Sequence, residues 1–282
     1  MPFPCHLGFW SPRLLGAFML LCSTWAQADL MLYPTRVVFD KNLRAAQVEL
    51  VNRGSTSETY RINVVNRRMS ETGEFAIIKE PGPGEQFADT MLRYSPRQVT
   101  IPPGGSQTVR IMLRTPAGLP DGEYRSHLNF ERVADTVEAN SIDQQLKNDG
   151  KKVGVVLNAL VGASIPVIVR QGETASRVSL SDLALSGEVG SASMLAFQIH
   201  REGNRSVYGD LVATFTPKGG EAQEVGKVTG VAVYVPNALR RVQLPLRPPA
   251  EGEQRVGTYG LIFRERPEAG GKTMAEVSLP SP

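Results

Sequence analysis

Cysteine is almost missing from this 282-residue chain: the two cysteines are Cys5 and Cys22. Both fall in a segment that reads as a secretory signal peptide. Arg13 supplies one positive charge, Leu14 to Trp25 an apolar stretch, and Ala26-Gln27-Ala28 a small-x-small pattern, so cleavage is expected after Ala28. The apolar stretch is shorter than a spanning helix needs. Bulky Leu21 before Cys22 argues against a lipoprotein. No other segment reads as a membrane span. The expected mature chain starts at Asp29 and has no disulfide, thiol nucleophile or thiolate metal site. An exported chain without disulfides must be held by apolar cores, and about 250 residues can supply one or two, with two expected.

Histidine is as scarce. Two lie beyond the signal, His127 and His200, and neither has neighbours at metal-ligand spacing. There is no G-x-S-x-G, no phosphate-cradling glycine loop and no G-x-G-x-x-G between strand and helix. No metal, no cofactor and no catalytic machinery are therefore expected. Aromatic residues make up 7%, little for a carbohydrate platform. The net charge of +3 is spread over both halves with acids interleaved. No basic stripe alternates with aromatics, which argues against a nucleic-acid partner despite a pI near 8.9. Asn204-Arg205-Ser206 matches a glycosylation sequon, a pattern short enough to arise by chance.

What is present is strand after strand. Val, Ile, Leu, Thr and Tyr segments alternate with Gly, Pro, Asn and Asp clusters at short spacing, the pattern of a sandwich. Strands are expected over Met31–Phe39, Ala45–Asn52, Glu58–Val65, Gln98–Ile101, Thr108–Arg114 and Glu123–Arg132. Pro81-Gly82-Pro83-Gly84 reads as a rigid loop. Val133 to Lys152 is polar and reads as a long loop, with room for a short helix around Ser141 to Lys147.

Lys152 to Arg170 is the most unusual stretch. Every odd position from Val153 to Val169 is apolar, which predicts one strand several times the usual ~5–6 residues. Pro166 cannot donate to a ladder, so at that point the strand is expected at a sheet edge. Arg170-Gln171-Gly172-Glu173 reads as a hinge. Seven further strands are expected over Val178–Leu185, Leu195–Arg201, Asp210–Thr216, Gly230–Val235, Arg241–Leu246, Thr258–Arg264 and Met274–Leu279. Gly122-Glu123-Tyr124 is echoed by Gly257-Thr258-Tyr259, each before a late strand, as tyrosine corners would be.

Three stretches carry a resemblance to a known family: Tyr33-Pro34-Thr35-Arg36-Val37-Val38-Phe39, then Tyr94 to Gly104 running into Ser106-Gln107-Thr108-Val109-Arg110, and the alternating strand ending Ile165-Pro166-Val167-Ile168-Val169-Arg170. Together they resemble the periplasmic chaperones of the chaperone–usher pathway, which assemble pili and fimbriae. The resemblance covers nearly all of the first half; the second matches in length and strand content. It implies an all-β fold of two immunoglobulin-like β-sandwich domains joined by a hinge in a boomerang arrangement. The divisions expected are a signal at 1–28, a first domain at 29–170, a hinge at 171–177 and a second domain at 178–282.

The resemblance also implies function. Such a chaperone is not an enzyme. It lends its long strand to an incomplete pilin subunit in the periplasm and passes the subunit to an outer-membrane usher, without inserting in the membrane. The donors implied are Leu157, Ala159 and Val161, with Val153 and Val155. Arg36 falls where the family keeps an arginine for the subunit's terminal carboxylate. The family's lysine partner is absent: Pro166 takes its place, with Ser164 and Ile165 beside it. Arg125 and His127 on the neighbouring strand are the candidate replacements. A secreted structural or adhesive immunoglobulin-like protein is the competing reading.

Overall fold

A computed structural model describes residues 30–41, 43–133, 162–186, 193–248 and 256–281. Ten strands form the N-terminal sandwich. They are β1 (Leu30–Tyr33), β2 (Val37–Phe39), β3 (Ala45–Asn52), β4 (Glu58–Met69), β5 (Phe75–Ile78), β6 (Leu92–Ser95), β7 (Gln98–Ile101), β8 (Ser106–Leu113), β9 (Gly122–Val133) and β10 (Ala163–Gln171). Seven more form the C-terminal sandwich: β11 (Ser176–Ser186), β12 (Met194–Gly203), β13 (Val207–Pro217), β14 (Gln223–Val233), β15 (Leu239–Pro245), β16 (Gly257–Arg264) and β17 (Thr273–Ser281).

The first sandwich packs a sheet of order β1-β3-β8-β6 against one of order β2-β10-β9-β4-β5, with β7 also on β4. The second packs β11-β12-β15 against β14-β13-β16-β17. Alternation decides the cores. Val48 and Leu50 of β3, Val109 and Ile111 of β8, Leu128 and Phe130 of β9, and Ile165, Val167 and Val169 of β10 point into one buried cluster. Leu195, Phe197 and Ile199 meet Leu211, Leu261 and Phe263 in the other. Each such side chain stabilises its core by about 1.5–3 kcal/mol.

The structure departs from the sequence reading in three places. The strand expected over Met31–Phe39 is two strands in different sheets, β1 on β3 and β2 parallel to β10. Pro34 has no N–H to continue a ladder, and the chain crosses between sheets there. Leu32 consequently packs on the core while Val38 faces a separate apolar patch. Second, β4 runs on to Met69 and returns as β5, a hairpin the sequence reading lacked. Third, Leu92–Ser95 forms an edge strand, β6, which runs into the motif that starts at Tyr94.

Pro166 pairs with His127 of β9, and the ladder to β2 starts one residue later at Val167. The tyrosine-corner expectation holds at Tyr124, whose hydroxyl donates to the Pro120 carbonyl at 3.0 Å. Tyr259 instead packs against Phe215, with ring centroids 4.9 Å apart. At the passage between the sandwiches, Gly172 has φ +61, and the Asp121 carboxylate occupies the space a Cβ would need. That carboxylate also accepts the Glu173 N–H at 3.2 Å. Asn204 of the sequon is spent here, receiving the Ala175 N–H and donating to the Glu173 carbonyl.

Candidate functional site: a cationic cleft between the sandwiches

One strand positions the site. On β9, Tyr124, Leu128 and Phe130 face the core. The opposite face carries Glu123, Arg125, His127 and Asn129, which are only 2%, 7%, 3% and 6% exposed. A polar strand face this buried must be covered by something. Here the β4–β5 hairpin and the C-terminal sandwich cover it. Met69 and Ile168 meet Ala232 and Tyr234 in a small apolar cluster, with Val38 and Tyr208 packed against it.

The cover is tied down by hydrogen bonds. Buried Arg201 donates to the carbonyls of Gly203, Arg205, Pro236 and Asn237, which fixes the segment following Tyr234. Asn237 reaches across to the Met69 carbonyl at 2.9 Å, and the Arg241 N–H to the Glu71 carbonyl at 2.7 Å. Glu123 accepts both the Ser206 N–H at 3.1 Å and Arg170 Nε at 3.2 Å through one oxygen, Oε2.

Cations crowd around Tyr234. The Arg125 guanidinium stacks 4.1 Å from its ring centroid and that of Arg36 lies 5.5 Å away. Arg36 reaches the Tyr234 hydroxyl at 3.3 Å and Ser206 Oγ at 3.4 Å, and lies 4.6 Å over the Tyr208 ring. Arg125 Nη2 donates to the Arg67 carbonyl at 3.0 Å, while Arg67 Nη2 donates to Asn129 Oδ1 at 3.3 Å. Burial lowers the pKa of Arg125, and nearby Arg36 acts in the same direction, against the raising influence of Tyr234 and Glu123. His127 packs its ring edge on Phe75 at 5.3 Å. Burial first, then the charges of Arg125 and Arg67, push its pKa down to about 3, so it is neutral at pH 7.

These groups leave polar atoms unsatisfied. Among the described residues, Arg125 Nε and Nη1, Arg67 Nε and His127 Nδ1 are buried without a hydrogen-bond partner. Each unpaired buried group costs about 1–3 kcal/mol, more when charged. A cavity of about 260 Å³ opens at two of these residues, Arg67 and His127, lined also by Phe75, Ser164, Pro166 and Tyr234. The chemistry that completes this arrangement is an anion with acceptor oxygens. A carboxylate fits both the charge and the forked donor geometry of arginine.

The structure thus brings together the three anchor candidates Arg36, Arg125 and His127 on one outer sheet face. The proposed donors Val153, Val155, Leu157, Ala159 and Val161 lie outside the described residues. Sequence reasoning missed Arg67 and Tyr234. Alternation along β4 places Arg67 on the face that carries Met69, a signal present in the sequence. Nothing local marks Tyr234, which arrives from the other sandwich. His200 sits apart from the cleft, 2.7 Å from Ser181 Oγ through Nε2. Among the described residues no group of three or more His, Cys, Asp or Glu is arranged to hold a metal, and no helix is long and apolar enough to cross a membrane.

No family model matches the chain and no curated protein matches it. Among solved structures it is similar in architecture to chaperones of fimbrial biogenesis. The YadV chaperone is 12% identical, covers 90% of this chain and 100% of its own, and has a TM-score of 0.44. A chaperone–tip adhesin complex of CFA/I fimbriae gives 14% identity, 90% and 100% coverage and a TM-score of 0.42. The CsuC–CsuE pre-assembly complex of the archaic chaperone–usher Csu pili of Acinetobacter baumannii gives 12%, 89% and 98%, and 0.42.

Proposed function

We propose that this chain is a periplasmic assembly chaperone that binds incomplete pilin subunits, holds them by strand donation and a terminal-carboxylate anchor, and delivers them to an outer-membrane usher. The observation that carries the reading is the cleft: buried cationic side chains with unpaired N–H groups around a cavity between two sandwiches. A protein that only needed to fold would fill such a space with apolar side chains, which is often as stable or more so.

The anchor works as follows. The subunit's terminal carboxylate enters beside Tyr234 and accepts from Arg125 and Arg67, taking over the N–H groups that now lack partners. Arg36 stands at the rim. Its present bonds go to neutral hydroxyls at 3.3 and 3.4 Å, and a carboxylate offers shorter charge-assisted ones of about 2.7–2.9 Å. Arg67 and Arg125 thereby do the work for which no lysine is present on β10. The odd-numbered side chains of β10, Ile165, Val167 and Val169, face the sandwich core. Val153, Val155, Leu157, Ala159 and Val161 continue that parity and form the apolar row offered to the subunit. Three to five such side chains contribute on the order of 5–10 kcal/mol gross, and the anchor about 1.5–3 kcal/mol. Apolar donation therefore supplies most of the affinity, and the anchor fixes register.

Two variants and one ligand change test this. Leu157→Asp or Val161→Asp should abolish recovery of a co-expressed subunit while the chaperone stays folded; a normal yield would refute donation. Arg125→Met should weaken subunit binding roughly ten- to a hundredfold. Amidating the subunit's C-terminus should cost the same in wild type and little further in the variant, because both changes remove one interaction. Additive losses would place the carboxylate elsewhere. The same cycle on Arg36 measures its share.

A further inference from the structure

A second surface, on the β6 side of the N-terminal sandwich, carries charge that no ion pair among the described residues answers. Arg110 and Met112 of β8 point outward, between the inward Val109, Ile111 and Leu113. The register sets Arg93 of β6 beside Met112 and Ser95 beside Arg110. Arg97 follows β6 and Arg114 follows β8, and both are exposed. None of these four arginines forms an ion pair within the described residues. Arg93 donates only to the carbonyls of Thr90 and Leu92, and Arg97 to the hydroxyl of Tyr94, over whose ring it lies at 4.4 Å.

Three other arginines of this sandwich do meet acids: Arg68 pairs with Glu85, Arg132 with Glu58 and Arg170 with Glu123. The acids near the arginine face are Glu49, facing Thr108 across the ladder, and Asp89. Asp89 already receives Asn66 Nδ2 at 3.2 Å and the Thr90 N–H at 2.9 Å.

The surface also has shape. β6 is the edge strand of its sheet. Cavities of about 500 and 430 Å³ flank it, and both are lined by Arg93 and Tyr94. Met112, 57% exposed, forms part of the larger one. A free strand edge, a furrow on each side, an apolar floor and unanswered guanidinium groups together describe one occupant.

We propose that the β6 edge binds an extended acidic segment of a partner protein, with carboxylates on Arg93, Arg97 and Arg110 and an apolar side chain over Met112. A strand edge presents backbone hydrogen-bonding groups that only another polypeptide can match. That selects a peptide over an anionic lipid surface, which would need only the charge.

The test uses the mature protein and a fluorescein-labelled peptide, Gly-Asp-Leu-Asp-Val-Glu-Leu-Gly, against its Asn/Gln counterpart. In fluorescence anisotropy at about 0.05 M salt the acidic peptide should bind at least about tenfold more tightly, and the preference should shrink at about 0.5 M. Arg93→Gln with Arg110→Gln should remove the preference, with an unchanged melting temperature. Arg125→Met, which alters the cleft, should leave it intact. Equal binding of the two peptides, or a preference that survives the double variant, overturns the proposal. So does a preference lost in Arg125→Met, which would mean that the peptide occupies the cleft. Vesicles of phosphatidylglycerol should not displace the peptide; displacement would assign the face to a membrane.

Discussion

His127 shows how one residue couples fold and ligand. Its pKa is pushed down to about 3 from an ordinary 6.5. Between those values the unfolded chain holds a proton that the folded chain refuses, so folding stability is full above pH 6.5 and falls on acidification through that window. At pH 5.5 the loss is about 1.4 kcal/mol. Urea midpoints should therefore drop between pH 7 and 4.5, and His127→Gln should flatten that part of the profile. Under the proposed function, a bound carboxylate beside His127 raises its pKa above the free-state value of about 3, so subunit affinity should rise as pH falls below that raised, bound-state value; a flat affinity would place the carboxylate away from His127. Arg201 acts on the site from a distance by holding four carbonyls around the segment after Tyr234. Arg201→Leu should cost about 1–3 kcal/mol in chemical denaturation, because it leaves buried carbonyls without a donor. Arg201→Lys should recover only part, since an ammonium cannot reproduce the planar fork.

Among the elements, β9 carries the most. Tyr124, Leu128 and Phe130 alternate with polar residues along it, which marks the core face, but nothing in the strand announces a cover over the polar one. The cover consists of the β4–β5 hairpin and the neighbouring sandwich. The connection at Gly172 is equally specific. Its φ of +61 is in the left-handed region, and the Asp121 carboxylate fills the place of a Cβ. Gly172→Ala should destabilise by about 1–3 kcal/mol. Asp121→Ala alone removes the carboxylate that accepts the Glu173 N–H. Combining the two should cost less than the sum of the single changes, because the second relieves the clash created by the first. Additivity in thermal melts would show that the strain lies in the backbone alone.

For the molecule as a whole, the two sandwiches are joined by an apolar patch and by Glu123, which accepts from Ser206 of the other sandwich. Ile168 has no exposed surface although it points out of its own core. Ile168→Ala should cost about 2–5 kcal/mol. That cost falls on the contact between sandwiches rather than within either one. Calorimetry should then resolve one unfolding transition into two, with the lower one near the stability of the weaker sandwich. A single transition shifted downward would mean that Ile168 belongs energetically to the N-terminal core.

The sequence alone determined that this chain is made of strands and that it has two cores. Alternation at period two reports which side of a strand is buried, as the apolar odd positions up to Val169 show for β10. It placed Arg36, Arg125 and His127 on the list of anchor residues through resemblance. Only tertiary structure decided which sheet each strand joins and what lies over its outer face. Pro34 sent β1 and β2 to different sheets, which turned Arg36 toward the other sandwich. Arg67 and Tyr234 met across 167 residues of sequence, and β6 and β8 gathered separate arginines onto one edge. The physical reason is that alternation is a local constraint. Burial of a polar face, pairing of charges and closure of a cleft depend on surfaces brought together from distant segments.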